Sequence, residues 1–192
     1  MLNLVFLPVS APGDDEYGTI PNQIAGPDTT NRQVTYPILV WYNQAVRQEA
    51  IEQIRAWALD PVVLVGFSKS GLGAWNLART IPDRVRATII FDAPVAREQP
   101  EWDIGAFYAE DAAWQDDLPI RTIREFEAAM PAPHQLILIS GEVFHEEMCA
   151  FSRELDRAGL AHAFLPRPHL KHQWNSGWIE EGLNSLIDST RR

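Results

Sequence analysis

The chain of 192 residues contains little cysteine and little positive charge. Its single cysteine, Cys149, excludes a framework of intrachain disulfides and a multi-cysteine metal site. Lysine and arginine number 16 and aspartate and glutamate 26, so the formal net charge is −10. We therefore expect no nucleic-acid partner and no membrane partner, because a surface with so few cations cannot neutralise phosphate. The sequence also lacks a run of about 20 apolar residues, the length that spans a bilayer.

The apolar segment 1–11 has the length of a signal-peptide core but lacks the basic residues that normally precede one. We interpret it as a first core strand and expect a cytoplasmic protein. The rest of the composition is ordinary, with 46% hydrophobic and 22% charged residues. A chain of this length buries about 70% of its unfolded surface, so we expect a single domain over 1–192.

Short apolar runs alternate with amphipathic helical patterns along the chain. The runs lie at Leu2–Leu7, 37–42, Val62–Phe67, 87–91, Gln135–Ile139 and 161–165. Most of them are continuously apolar, which is typical of strands buried on both faces. The alternation predicts an α/β fold of six mostly parallel strands with helices on both faces.

Two stretches interrupt this alternation. Residues 8–33 are rich in proline, glycine, aspartate and asparagine and are predicted to form a long loop. Residues 94–119 hold three prolines around an acidic, aromatic segment. Long irregular segments of compact domains are often functional, and we interpret this second one as a small cap.

The sequence Gly66-Phe67-Ser68-Lys69-Ser70-Gly71 directly follows an apolar run and precedes a helical pattern. Small residues two positions before and after a serine, between a strand and a helix, are typical of a nucleophile elbow. They allow the close backbone approach of a sharp turn that lifts the hydroxyl above the sheet. A plain strand-to-helix turn is the alternative. A phosphate-binding loop fits poorly, because both the Walker and the dinucleotide glycine patterns are missing.

A nucleophilic serine needs a base and an orienting acid, in the chain order serine, acid, histidine. Among five histidines, His172 is the favoured base because it lies after the last strand beside two tryptophans; His169 is the runner-up. Glu142, in the loop after the run Gln135–Ile139, is the first choice of acid. Asp92, at the end of the preceding run, is the second.

These residues resemble the α/β-hydrolase superfamily, and within it the small serine esterases of the S-formylglutathione-hydrolase and feruloyl/acetyl-esterase type. The resemblance implies that Ser68 attacks a small-molecule ester and that His172 and an acid assist it. The backbone N–H of Lys69 and a second N–H, near Val9 or at Ser10, would bind the oxyanion. The resemblance implies no metal and no organic cofactor, and it is compatible with a homodimer.

Three features depart from the esterase pattern. The family's acid is usually an aspartate before an aromatic residue, whereas the loop here offers Glu142. The first strand ends in Pro8-Val9-Ser10 rather than in a His-Gly pair. The leading antiparallel strands are missing, so we expect a trimmed fold. A binding protein on the same fold, with a decayed catalytic site, is therefore the alternative function.

Overall fold

The computed structural model describes residues 2–10, 13–14, 16–21, 29–36, 41–99, 101–130 and 133–189. The strands along these residues are β1 (Leu2–Leu7), β2 (Thr29–Gln33), β3 (Val62–Phe67), β4 (Val85–Phe91), β5 (Gln135–Ile139) and β6 (Ala163–Leu165). The α-helices are α1 (Gln44–Ala56), α2 (Lys69–Thr80), α3 (Asp111–Asp117), α4 (Ile123–Ala129), α5 (His145–Ala158) and α6 (Trp178–Ser189). Short 3₁₀ turns cover Glu101–Ala106 and Pro119–Arg121.

The strands form one sheet in the order β2-β1-β3-β4-β5-β6, and every described pairing is parallel. The predicted α/β architecture is thereby confirmed. Because parallel strands all end at the same edge, the segments after β1, β3, β4 and β5 meet at that edge. This is where ligand sites of open parallel sheets occur.

The outermost strand, β2, was not expected from the sequence. It lies inside residues 8–33, which the composition predicts to be loop throughout. Its residues Thr29–Gln33 are polar and partly exposed, because an edge strand has one neighbour and gains little from apolar side chains. The run 37–42 was predicted as a strand; residues 37–40 lie outside the described residues, and Trp41 and Tyr42 have no strand structure.

Helices cover the sheet on both faces, as expected. One face packs against α1, α2, α4 and α5, with Ile51, Leu77 and Phe151 among the buried contacts. The other face packs against α6 through Trp178 and other apolar residues. Both clusters include alternate residues of the same central strands, which explains why all six residues of β3 are apolar or glycine and buried.

The segment between β4 and β5, part of which was predicted as a cap, packs against the helical layer. Trp75 of α2 stacks on Phe126 of α4 with ring centroids 3.7 Å apart and donates a hydrogen bond to Thr122 at 2.9 Å. Asp117 of α3 pairs with Arg47 of α1 at 2.5 Å. These contacts attach the segment to α1 and α2.

Within the described residues, no helix combines the length and the apolar character needed to cross a membrane.

The turn from β3 into α2 depends on close packing at Gly66. A Cβ there would lie 2.4 Å from the carbonyl oxygen of Ser70, whereas a Cβ at Gly105 would meet no atom within 4 Å. We expect Gly66→Ala to lower the free energy of unfolding by about 1–3 kcal/mol because the backbone has to shift. Gly105→Ala is the matched control and should be neutral or slightly stabilising. Urea denaturation measures both; equal effects would contradict the packing argument.

Candidate active site

Ser68 lies on the sharp turn that joins β3 to α2. Its φ of +53° and ψ of −132° place it in a region that non-glycine residues rarely occupy. Ser70 holds the turn, since its hydroxyl accepts the Phe67 N–H and donates to the Phe67 carbonyl, both at 2.8 Å. Gly71 permits the approach of the segment after β4, because a Cβ there would lie 2.6 Å from that of Ala93. The strained geometry is therefore enforced from several sides.

The backbone of Ser68 is hydrogen-bonded, but its side chain is not. Its N–H donates to the Phe91 carbonyl at 3.1 Å, and its carbonyl accepts the Gly71 N–H at 2.9 Å. No described residue forms a hydrogen bond with the Ser68 hydroxyl, and Ser68 is partly exposed. The side chain is thus held at the sheet edge and is available for a ligand.

Asp92 follows β4, the strand next to β3, and is fully buried. Its Oδ1 accepts the N–H groups of Gly141 and Phe144, both at 2.8 Å, and its Oδ2 accepts that of Val143 at 3.1 Å. His172 Nδ1 lies 2.7 Å from the same Oδ2. Four polar contacts therefore compensate the burial of one carboxylate.

Glu142, the acid expected first, forms no hydrogen bond with the imidazole; the carboxylate bonded to the ring is that of Asp92, the second choice. The Glu142 carboxylate accepts Lys171 Nζ at 2.7 Å and the backbone N–H of His172 at 3.2 Å. The hydrogen bonds from Lys171 and from that N–H lower the pKa of Glu142. The physical reason is that the loop after β5 turns its N–H groups towards Asp92, which leaves the Glu142 side chain outside.

One signal in the sequence favours Asp92 in retrospect. It is a carboxylate placed directly after a continuously apolar strand, where burial without a charged or hydrogen-bonded partner would be costly. Gly141 is the matching signal on the facing loop, because a Cβ there would lie 2.6 Å from the Asp92 carboxylate. Sequence spacing does not reveal that these two signals belong together, because Asp92 and Gly141 are 49 positions apart.

The imidazole of His172 lies beside the turn that holds Ser68. Its ring centroid is 4.5 Å from that of Phe67, the residue before the serine, and 5.7 Å from that of Tyr17. The side chain is 13% exposed. With Nδ1 engaged by Asp92, Nε2 is the nitrogen that remains for a reacting group.

The other histidines have different surroundings. His169, the runner-up for the base, is exposed. His134 contacts Thr88, His145 contacts Ser140 and His162 contacts Ser152, each through a ring nitrogen within 3.3 Å of a hydroxyl oxygen. These contacts explain three of the histidines as structural residues.

Lys69 and Ser10 carry the two backbone N–H groups that were predicted as oxyanion donors, and both follow strands that end at the edge of the sheet where Ser68 lies. Lys69 is the first residue of α2, so its N–H has no partner within the helix. Ser10 follows β1, the other neighbour of β3, and its hydroxyl donates to the Asp14 carbonyl at 2.9 Å. Burial lowers the pKa of the Lys69 side chain. The negative charges of Asp14 and Glu16 act in the opposite direction but do not cancel this shift.

No protein-family model matches the chain, and no curated protein matches it. Several solved structures do match the chain. The S-formylglutathione hydrolase FrmB of Staphylococcus aureus is 14% identical at a TM-score of 0.58, over 97% of this chain and 82% of that one. Est816, described as an N-acyl homoserine lactone degrading enzyme, is 15% identical at a TM-score of 0.53, over 98% and 93%.

The dipeptidyl peptidase 4 of Porphyromonas gingivalis is 10% identical at a TM-score of 0.65, and the match covers 97% of this chain. This chain spans about a third of that enzyme's length, 31%. At identities this low, the structural matches establish a common fold. The chain has a trimmed α/β-hydrolase fold, with six parallel strands among the residues that the structure describes.

Proposed function

We propose that the protein is a serine hydrolase that cleaves a small carboxylic ester through an acyl-enzyme intermediate. The observation that supports this most directly is the pair of Asp92 and His172, whose ring lies beside the strained turn of Ser68. A buried carboxylate bonded to Nδ1 of a histidine near an available serine hydroxyl is the arrangement that acyl transfer requires. Several of the structural neighbours are described as hydrolases or esterases, which agrees with this proposal.

In the proposed reaction, Ser68 Oγ attacks the ester carbonyl and His172 Nε2 takes the hydroxyl proton. Asp92 accepts the Nδ1 hydrogen and stabilises the imidazolium. The imidazolium then gives its proton to the leaving alcohol, which leaves Ser68 acylated. Water attacks the acyl group with His172 as base, and the acid is released with the serine restored.

The oxyanion of each tetrahedral intermediate would accept the backbone N–H of Lys69. An N–H of the loop after β1, at Ser10, would be the second donor. Removal of one such donor costs about 3 kcal/mol of transition-state stabilisation in a well-studied protease. No metal or organic cofactor enters this reaction.

Glu142 has a different role in this proposal. Its carboxylate binds the His172 backbone N–H, and its own N–H donates to the Leu170 carbonyl at 3.0 Å. Together these bonds hold the loop that presents the imidazole. Glu142 is thus a positioning residue, while Asp92 acts on the ring itself.

Ser68→Ala should abolish hydrolysis of p-nitrophenyl acetate and labelling by a fluorophosphonate, because both need the same oxygen nucleophile. Ser176→Ala is the matched control: this hydroxyl, in the loop after His172, bonds the Gln173 carbonyl and should be dispensable. Undiminished turnover in Ser68→Ala would remove Ser68 from the mechanism. A wild-type chain that neither reacts with the probe nor cleaves esters would favour the alternative of a binding protein with a decayed site.

His172→Ala should lower kcat by several orders of magnitude, because no other described imidazole contacts a carboxylate at the end of β4. His169→Ala should leave kcat within about threefold, since an exposed side chain away from such a partner contributes little. The comparison is made on p-nitrophenyl acetate after both variants are shown to melt near the wild-type temperature. The opposite ranking would move the base to His169.

Asp92→Asn should lower kcat at least a hundredfold, and about 10⁴-fold on the scale of the corresponding protease change, because the imidazole takes the wrong tautomer. Glu142→Gln keeps an oxygen for the His172 N–H and should lose less than about tenfold. The loss of kcat in Glu142→Ala should lie between the losses in Glu142→Gln and Asp92→Asn. A larger loss for Glu142→Gln would contradict the assignment.

A further inference from the structure

Tyr17, in the loop after β1, contacts the imidazole of His172 with a side chain that the proposed reaction does not use. Its ring centroid lies 5.7 Å from that of His172, with the ring planes at 83°. It also lies 5.9 Å from the ring centroid of Phe67, with the planes at 76°. Both arrangements are edge-to-face, a favourable geometry for aromatic pairs. Tyr17 therefore contacts both the proposed base and the residue that precedes Ser68.

The backbone around Tyr17 is attached to the loop that carries His172. The Tyr17 carbonyl accepts the Trp174 N–H at 2.9 Å. At the next position, Gly18 lies against the Asn175 side chain, since a Cβ on Gly18 would be 3.6 Å from the Asn175 Oδ1. The contact between Tyr17 and the imidazole is therefore one part of a contact between two loops that are far apart in the sequence.

Three aromatic rings contact the imidazole, and they differ in exposure. Phe67 is fully buried, and Phe144, whose ring centroid is 5.5 Å from that of His172, is 3% exposed. Tyr17 is partly exposed and packs against the same apolar cluster as Phe67. Because Tyr17 is the one of these three rings that reaches the surface, its removal would give water access to the imidazole from that side.

The Tyr17 ring is uncharged at neutral pH. Burial raises the pKa of its hydroxyl, and the negative charges of Glu16 and Asp14 raise that pKa further. What Tyr17 offers the imidazole is therefore a flat apolar surface in a fixed place. A phenylalanine would offer the same surface, whereas an alanine would not.

We infer that Tyr17 is a positioning residue for the base: its ring holds the His172 imidazole in the orientation that bonds Asp92 and keeps water from that bond. The inference deepens the proposed function and rests on it for its effect on catalysis. It gives the long loop after β1 a role in holding the base. The expected effect is large, because a misplacement of about 1 Å at a reacting group can cost about 10²-fold in rate.

Tyr17→Ala should lower kcat on p-nitrophenyl acetate at least tenfold and change KM less than about threefold, because the base is displaced. Tyr17→Phe keeps the ring and should retain kcat within about twofold of the wild type. Tyr17→Leu lacks the ring but keeps an apolar side chain; it should behave like Tyr17→Ala and replaces it if the alanine variant does not fold. Wild-type kcat in Tyr17→Leu, or an equal loss in Tyr17→Phe, would overturn the inference.

Ile20→Ala is the matched control. Ile20 lies in the same loop, is partly buried and packs against the same apolar cluster as Tyr17. Its truncation should leave kcat within about threefold of the wild type. A tenfold loss of kcat in Ile20→Ala, at an unchanged melting temperature, would attribute the effect to general loosening of the loop and contradict a specific role of the Tyr17 ring.

Proton exchange separates this inference from the proposed function, because it is measured without substrate. In Ser68→Ala protein labelled with ¹⁵N-histidine, the proton between His172 Nδ1 and Asp92 should exchange slowly with water; its signal is assigned by its absence in His172→Ala. Tyr17→Ala in the Ser68→Ala background should accelerate this exchange at least tenfold, and Tyr17→Phe should not. A proton that already exchanges too fast to detect in Ser68→Ala would contradict the shielding.

The two proposals fail in different ways. Accelerated exchange in Tyr17→Ala, with a wild-type chain that cleaves no ester, would support the role of Tyr17 in holding the imidazole and refute the hydrolase. Ester cleavage by the wild type, with the exchange rate and kcat unchanged in Tyr17→Ala, would support the hydrolase and refute the role of Tyr17.

Discussion

The buried carboxylate of Asp92 joins three parts of the chain that are far apart in sequence. It follows β4, receives three N–H groups from the loop after β5 and contacts the imidazole of the loop after β6. A carboxylate without solvent is stable only when its oxygens are bonded, so each of these segments has to adopt its observed path. The conformation of the loop after β5, including the need for Gly141, follows from this requirement.

The turn at Ser68 is constrained in the same way, by packing as well as by hydrogen bonds. Gly66 and Gly71 allow the backbone of the turn to approach α2 and the segment after β4, and the Ser70 hydroxyl closes the turn. The unfavourable φ of Ser68 persists because these neighbours leave it no alternative. The serine and the carboxylate are thus fixed at the ends of adjacent strands, and the histidine loop brings the imidazole against Asp92 and Phe67.

The helical layer has its own polar centre, at a distance from the site. Asp117 binds Arg47 of α1 and Tyr108 Oη, the latter at 2.9 Å, and its carbonyl accepts the Asn76 side chain of α2. Burial and the Asp117 carboxylate raise the pKa of the Tyr108 hydroxyl. These bonds fix the segment that follows β4 against the helices. Polar contacts as well as apolar packing therefore link α1, α2 and α3 on this face of the sheet.

The sequence predicted most of the fold, because strands buried on both faces are largely apolar, and β1, β3, β4 and β5 each contain an apolar run. It missed β2, whose polar residues give no such signal at an edge. Local pattern also placed Ser68 on its turn, since the glycine spacing and the strand-to-helix transition are contiguous in the chain.

The partner of the imidazole was decided by the tertiary structure alone. Chain order favoured Glu142, and only the folded loop shows its side chain turned outward onto Lys171 and the His172 backbone. The choice between the two carboxylates depends on how the fold brings together Asp92 and His172, which are 80 positions apart, and on which carboxylate is buried. The sequence determined the strands and the turn, because those follow from local periodicity; the pairing of Asp92 with His172 required the register of the sheet and the path of two loops.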